Sequence, residues 1–424
     1  MTESFQLFQR AGSSKWWVRF SIKGQGQIRK SLDTTDQNEA HQRARKAFYE
    51  ASYRAENGLT ATVVKFATVA EEFIAKIERE VKRGERNVAQ GQKAPATIRR
   101  YFVGYFGDRP VDGITDRDVS AYIEWRKDYW TTGPGKDIAF IPYMRAGRQI
   151  RRPVTKREVP SLSRQRNESV LLRQLLRFAA KQGYIKQAAM PEIEVTKAPD
   201  VPRPSFTANE FGKLTETSLA RISETSNDRV RRDRAILHAY MMIAAFTGCR
   251  PTEMKGLNWG DVLGYRDGRE KSFAERDIRI RVRGKGKFRT FIPLEAALPS
   301  FDLLWTFAKN ALGREPIDSD PVFVTTQGKR LDSVKRSLSE LLSACDLLTD
   351  HRGVRRTSYS FRHFYISQQL MAGVDVFILA QNTGTSSDMI HRFYADVREC
   401  PEFRARRGGL SIRRSSPLRT ARRR

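Results

Sequence analysis

The alternation of apolar and polar positions changes period along the chain, and each change predicts a different kind of element. Between residues 5 and 32 the segments LFQRA, KWWVRFSI and QIRKSL are short and rich in aromatic and β-branched residues. Gly/Ser turns separate them, one being Lys23-Gly24-Gln25-Gly26. They predict three strands, after which Asp36 or a neighbour starts a helix reaching about Ala55. Neighbours on a strand point oppositely, so Trp16 and Trp17 are expected to divide between core and surface. From Phe66 to about Gln187 the period turns helical, as in VSAYIEWRKDYW and SVLLRQLLRFAAKQGYI. Thr68 and Glu71 have the spacing of a capping box, and Thr115 with Asp118 forms a weaker relative.

Residues 129–162, with TTGPGKD and RQIRRPVTKREV, interrupt that period and read as an irregular basic insertion between two helices. Two readings stay open for it, a DNA contact or a solvated charge run, since loops this long are usually functional or disordered. Prolines at 191, 199, 202 and 204 in PEIEVTKAPDVPRP predict an extended linker. Thr207-Ala-Asn-Glu210 then caps a new helix. Ala235–Phe246, the most apolar run, is too short to span a bilayer and predicts a buried helix. Ile278, Ile280 and Val282 alternate with Arg279, Arg281 and Arg283, the signature of a half-buried strand. Gly284-Lys285-Gly286 makes a turn and Arg289–Pro293 returns. Leu370, Val376 and Leu379 fall on apolar helical spacing and are expected in the core.

The expected architecture is therefore multidomain and mainly α with small β-sheets. A three-stranded sheet with one helix spans 1–60 and a helical bundle spans 66–190, with the linker at 191–205. A mixed, mainly α domain follows at 206–400, and a basic tail at 401–424. A length of 424 residues suits two or three domains. Lys and Arg outnumber Asp and Glu 77 to 48, a net charge of +29. Such an excess points to a polyanionic partner, nucleic acid being the usual one, although a ribosomal or membrane-surface protein would share it. Cys249, Cys345 and Cys400 have no paired spacing and the five histidines are scattered, so no zinc site and no cofactor is expected. Met1–Arg10 lacks the apolar segment of a signal peptide, and the expected location is cytoplasmic, at the nucleoid. Residues 404–424 carry nine arginines and no acid, a run expected to order only on a phosphate backbone.

The candidate chemistry lies in two stretches. In 358–397 Arg362 sits within a helical pattern, a Gly384-Thr385-Ser386 turn follows, and Tyr394 lies on a short amphipathic run. Upstream, AAFTGCRPTEMKGLNWGDV places Pro251 after Arg250. Proline is favoured at a first helical position, so Arg250 falls at a helix start, beside free N–H groups that suit a phosphate. Two guanidinium forks can hold the non-bridging oxygens of one phosphodiester while a phenol oxygen attacks phosphorus. With an unperturbed pKa near ~10 the phenol needs help to lose its proton. The GKGK run lacks the GxxxxGK[ST] spacing of a phosphate loop. Glu253 and Asp261 are expected to orient helices and basic side chains rather than bind metal.

Four stretches in order, TGCRPTEMKGLNWGDV, RVRGKGKFRTFIPL, SFRHFYISQQLMAGVDV and NTGTSSDMIHRFY, resemble the tyrosine recombinase (phage integrase) family. Thr385 follows Arg362 by 23 residues and Tyr394 follows Thr385 by 9, as in the family's box. The resemblance is close over about 206–400 and looser before it, where 1–60 is similar to arm-type DNA-binding domains and 66–190 to core-binding domains. It implies a site-specific recombinase that cleaves and rejoins DNA through a 3′-phosphotyrosyl link without metal or ATP. In that chemistry Tyr394 is the nucleophile, Arg250 and Arg362 hold the phosphate, and Lys285 protonates the leaving 5′-oxygen, with Lys287 the competing candidate. Tyr359 stands in the family's usual histidine slot before Arg362, and Thr385 stands where histidine or tryptophan follows the glycine. Both can hydrogen-bond a phosphate oxygen, but neither is a good base near neutral pH. Lys287, Arg289, His363 and His391 complete the expected DNA-facing set, against the plainer alternative of packed or solvated histidines. The implied partners are double-stranded DNA at specific sites, a homotetramer on two duplexes and accessory DNA-bending proteins, with no membrane. A catalytically silent DNA-binding protein of the same fold and a type IB topoisomerase-like nicking-closing enzyme remain the alternatives.

Overall fold

Alternation builds the first sheet. In β2 (Trp16–Ile22) the residues Val18, Phe20 and Ile22 point inward and Arg19 and Ser21 outward. β1 (Phe5–Gln9) and β3 (Gly26–Ser31) pair antiparallel on either side of β2. The inward face packs against Ala40, Ala44, Ala47 and Phe48 of α1 (Gln37–Glu56), whose first turn is capped by the Asp36 side chain. Trp16 packs on this core, while Trp17 faces the other way, as strand geometry requires. The expected division between core and surface is incomplete, however. The Arg10 guanidinium lies 3.5 Å from its ring centroid, leaving both tryptophans half-buried.

The computed structural model describes residues 4–145, 148–194, 202–284 and 287–394, with the backbone alone for Met144, Arg145, Lys287, Phe393 and Tyr394. The chain falls into two compact units, 1–200 and 201–424. In the first unit, a helical bundle follows the small sheet. It comprises α2 (Phe66–Lys82), α3 (Val88–Thr97), α4 (Gly104–Phe106), α5 (Asp116–Asp128) and α6 (Leu162–Lys181), with a π-helical turn at Ile98–Val103 leading into α4. Its core is aromatic, with Phe66, Phe73, Tyr101, Phe102, Phe106 and Tyr122 buried together. The Thr115–Asp118 capping box forms in full. The one expected at Thr68 does not form, because α2 already begins at Phe66, which places Thr68 and Glu71 inside the helix. Glu71 instead holds Arg99 through two hydrogen bonds of 2.9 and 2.7 Å.

The expected irregular insertion is also corrected. β4 (Phe140–Arg145) and β5 (Arg148–Pro153) pair antiparallel as a hairpin. Alternating Ile141, Tyr143 and Ile150 support pairing, a period that the dense arginines obscure in the sequence.

The second unit is built around α8 (Asp228–Thr247), buried along most of its length, with α7 (Ala208–Ser223), α11 (Leu298–Leu312), α12 (Lys335–Ala344) and α13 (Tyr359–Met371) packed on it. Thr207 and Glu210 cap α7 reciprocally. Two short helices, α9 (Pro251–Gly256) and α10 (Tyr265–Gly268), accompany a sheet ordered β6-β7-β8 (Val262–Leu263, Arg279–Gly284, Lys287–Phe291). Ile280 and Val282 enter the core as their alternation predicts. The last helices, α14 (Val376–Thr383) and α15 (Ser387–Tyr394), join α13 in a small cluster of Tyr365, Ile366, Leu379 and Ile390. Leu370 and Val376 pack against that cluster. The fold is thus mainly α with small antiparallel sheets. No helix among the described residues is long and apolar enough to cross a membrane.

Candidate active site

A helix leaves its last carbonyls without intrahelical partners, and they carry partial negative charge. At the end of α14 three successive carbonyls accept from three arginines. Arg289 Nε donates to Asn382 O at 2.9 Å, Arg362 Nη2 to Thr383 O at 2.7 Å, and Arg250 Nη2 to Gly384 O. Arg362 Nη1 also donates to Gly248 O at 2.7 Å, at the end of α8. Gly384 takes a left-handed φ of +61°, and a Cβ there would lie 3.1 Å from Arg289 Cδ, so the turn needs glycine on both counts.

Glu253 holds two of these arginines, Arg250 and Arg289. Pro251 opens α9 and Arg250 is its N-cap residue, which puts Glu253 at the third helical position. The Glu253 carboxylate accepts from the Arg250 amide at 2.8 Å and from Arg250 Nη1 at 2.8 Å. It also receives both Nη atoms of Arg289, at 2.6 and 2.9 Å. Burial pushes its carboxyl up, but the hydrogen bonds from Arg289 and Arg250 outweigh burial and hold it below the ordinary range. Three guanidiniums around one carboxylate leave two positive charges in excess. Arg362 is 3 % exposed; burial first, then the Arg250 charge, lowers its pKa. It has used two of its five donors on carbonyls, and Arg250 keeps part of its side chain open to solvent.

A Cβ on Gly284, the end of β7, would lie 3.1 Å from Glu253 Oε1 and 3.7 Å from Arg250 Nη1, so the hairpin reaches the arginines. Lys285 follows Gly284 and lies outside the described residues. The Lys287 backbone pairs with Gly284. Thr385 is half-buried beside the Gly384 turn, its N–H donating to Ala380 O at 3.1 Å. Tyr359, at the start of α13, is half-buried, with the Arg203 guanidinium 4.4 Å from its ring centroid. Tyr394 closes α15, which Ile390 anchors to α13 and α14; His391 is exposed on that helix. The tail at 401–424 lies outside the described residues.

Two expected DNA-facing side chains are turned inward. The Arg289 guanidinium is occupied by Glu253 and Asn382 O. His363 is buried beside Arg362, its ring 5.5 Å from that of Tyr359. Burial, with Arg203 and Arg362 nearby, lowers its pKa to about 4. The signal for Arg289 was present in the alternation: it pairs across the hairpin with buried Val282, and cross-strand partners share a face. Asp261 accepts from Arg281 at 3.4 Å and caps Asn258 N–H at 3.1 Å, the orienting role expected of it.

No family model matches the sequence, and no curated protein matches it. Solved structures do. A lambda integrase dimer bound to a COC′ core site superposes with a TM-score of 0.53 at 17% identity, over 92% of this chain and 95% of that one. A lambda integrase tetramer bound to a Holliday junction gives 0.53 at 16% identity, over 92% and 95%. The Tn1549 transposon integrase in complex with a circular intermediate DNA gives 0.51 at 13%, over 78% and 95%. With four motifs in the family's order and this match over most of its length, the chain has the fold of the tyrosine recombinases.

Proposed function

We propose that the protein is a site-specific DNA recombinase that cleaves and rejoins strands through a 3′-phosphotyrosyl intermediate. The observation that carries this reading is the excess of two positive charges among Arg250, Arg289, Arg362 and Glu253, with Arg250 and Arg362 retaining free donors. A phosphodiester supplies the anion that such a cluster lacks. Fixed donors aimed at charge that develops in a transition state are a large source of rate enhancement. Arg250 and Arg362 would hold the non-bridging oxygens, with Thr385 and Tyr359 as further donors. The Tyr394 phenol would lose its proton to water and its oxygen would attack phosphorus, forming the P–O bond to tyrosine as the bond to the 5′-oxygen breaks. Lys285, next to Gly284, would give that oxygen its proton. Attack by the freed 5′-hydroxyl of another strand reverses the step, so no ATP is consumed.

In this reading 1–60 and 66–190 are the arm-type and core-binding parts and 191–205 tethers them to a catalytic part at 206–400. The basic tail adds nonspecific phosphate contacts. Lambda integrase forms a tetramer on a Holliday junction, and a tetramer on two duplexes is the proposed working assembly here. The test uses a duplex nicked beside the scissile phosphate, built from the repeats that flank the gene. Wild-type protein should become covalently attached, and Tyr394→Phe should bind without attachment. Site binding with no attachment by the wild type would mean a silent DNA-binding protein. Relaxation of supercoils without exchange between two labelled duplexes would mean a nicking-closing enzyme.

A further inference from the structure

The β4–β5 hairpin lies far in sequence from the proposed chemistry and is a built element. Its base is closed by Val154 N–H on Ala139 O at 2.9 Å and by Arg157, which donates to Lys136 O at 2.7 Å and Ile138 O at 3.2 Å. Ile138, Ile141 and Val154 pack on the bundle core. The helices before and after it, α5 and α6, are joined by a buried Arg126–Glu168 pair with bonds of 2.8 and 3.0 Å. Beyond this base every residue of β5 is exposed, as are Phe140 and Tyr143 of β4. From Ile138 to Arg157 the sequence holds six basic residues and no acid. Arg148, Arg151 and Arg152 have no hydrogen-bond or ion-pair partner among the described residues. An isolated two-stranded ribbon is marginal in water; exposing apolar and charged residues on it favours a partner that covers both.

The register defines what each face presents. Tyr143 pairs with Ile150 and Ile141 with Arg152, so Ile141, Tyr143, Arg148, Ile150 and Arg152 share one face; Ile141 at its base packs on the bundle, and the other four are exposed. At about 3.3 Å per residue, Arg148 and Arg152 stand roughly 13 Å apart along the strand. The B-DNA major groove is about 12 Å wide and admits a two-stranded ribbon.

We propose that this face of the β4–β5 ribbon seats in a DNA major groove, with Arg148 and Arg152 on the phosphates of the two walls and Tyr143 and Ile150 against base edges. The proposal rests on DNA being the substrate and adds a sequence-reading contact from the first unit, separate from the cleavage residues of the second.

Binding and cleavage are measured separately on the full chain. The double variant Arg148→Gln/Arg152→Gln should fold with an unchanged unfolding midpoint, and its log K against log salt slope on duplex DNA should fall by about 2. Tyr143→Ala/Ile150→Ala should keep the slope and relax preference at two or three base pairs in a binding selection. At saturating protein both variants should still attach covalently to the nicked duplex, so a wild type that never attaches counts against the cleavage reading alone. An unchanged salt slope in the arginine variant would overturn the ribbon proposal. So would a loss seen only with double-stranded RNA or anionic vesicles and not with duplex DNA.

Discussion

The arginines at the end of α14 and those on the β4–β5 ribbon carry the same group in opposite surroundings. Arg250, Arg289 and Arg362 each hold a helix-terminal carbonyl, and two of them share Glu253. Their positions are set at folding, and in the proposed reaction an arriving phosphate would meet donors already aimed. Arg148, Arg151 and Arg152 are exposed and unpaired among the described residues, so the proposed DNA partner would have to order them as it binds. Preorganised donors retain their strength where water is excluded. Exposed ones act mainly through released counterions and are sensitive to salt. Chemistry suits the first arrangement, and adjustable recognition suits the second.

The largest effect that tests this contrast comes from Arg289, which touches no proposed reacting atom. Arg289→Ala leaves the buried Glu253 carboxylate with Arg250 alone, and breaking such a pair costs roughly 3–5 kcal/mol. The unfolding midpoint should fall sharply, and covalent attachment should slow further at a temperature where the variant is still folded. Arg289→Lys, which keeps the charge but not the fork, should restore stability in part. A variant as stable as wild type would remove the clamp from the account.

Next is Thr385→Val, which keeps the shape of the side chain and removes a donor. Loss of one preorganised donor costs roughly 2.7–4 kcal/mol, a 100- to 1000-fold slower attachment. DNA affinity should hardly change, and an unaltered rate would make Thr385 a turn residue only.

His363 gives a smaller, pH-dependent effect. Its folded pKa of about 4 lies below the ordinary value near ~6.5, so the fold favours the neutral ring. Its contribution is therefore intact above pH ~6.5 and is lost as pH falls toward 4, reaching about 2–3 kcal/mol at pH ~4.5. Wild type should lose more stability than His363→Gln between pH ~7 and ~4.5. Equal losses would assign the acid sensitivity to other groups.

The smallest effect is on the ribbon, where removing the three arginines should shift stability by no more than about 0.5 kcal/mol. A larger shift, read by thermal unfolding, would show that they hold the fold and would erase the contrast.

Local pattern alone settled much of this protein. Strand alternation at Val18–Ile22 and Ile278–Val282, the caps at Asp36, Thr115 and Thr207, and the helix-opening Pro251 after Arg250 all depend on neighbours within a few residues. Such signals survive in a single sequence. Misreadings came where local signals competed. A capping-box spacing at Thr68 fell inside a helix that hydrophobic burial of Phe66 had already begun. Arginine density masked the pairing of β4 with β5. What only the tertiary structure decided is which charges are consumed. Arg250 meets Gly384 across 134 residues and Arg289 meets Asn382 across 93. No sequence period links such pairs, because a helix-end carbonyl is available to whichever donor the packing of α8, α13 and β8 delivers to it. Motif spacing could name Arg250 and Arg362, but packing made Arg289 a clamp rather than a DNA contact.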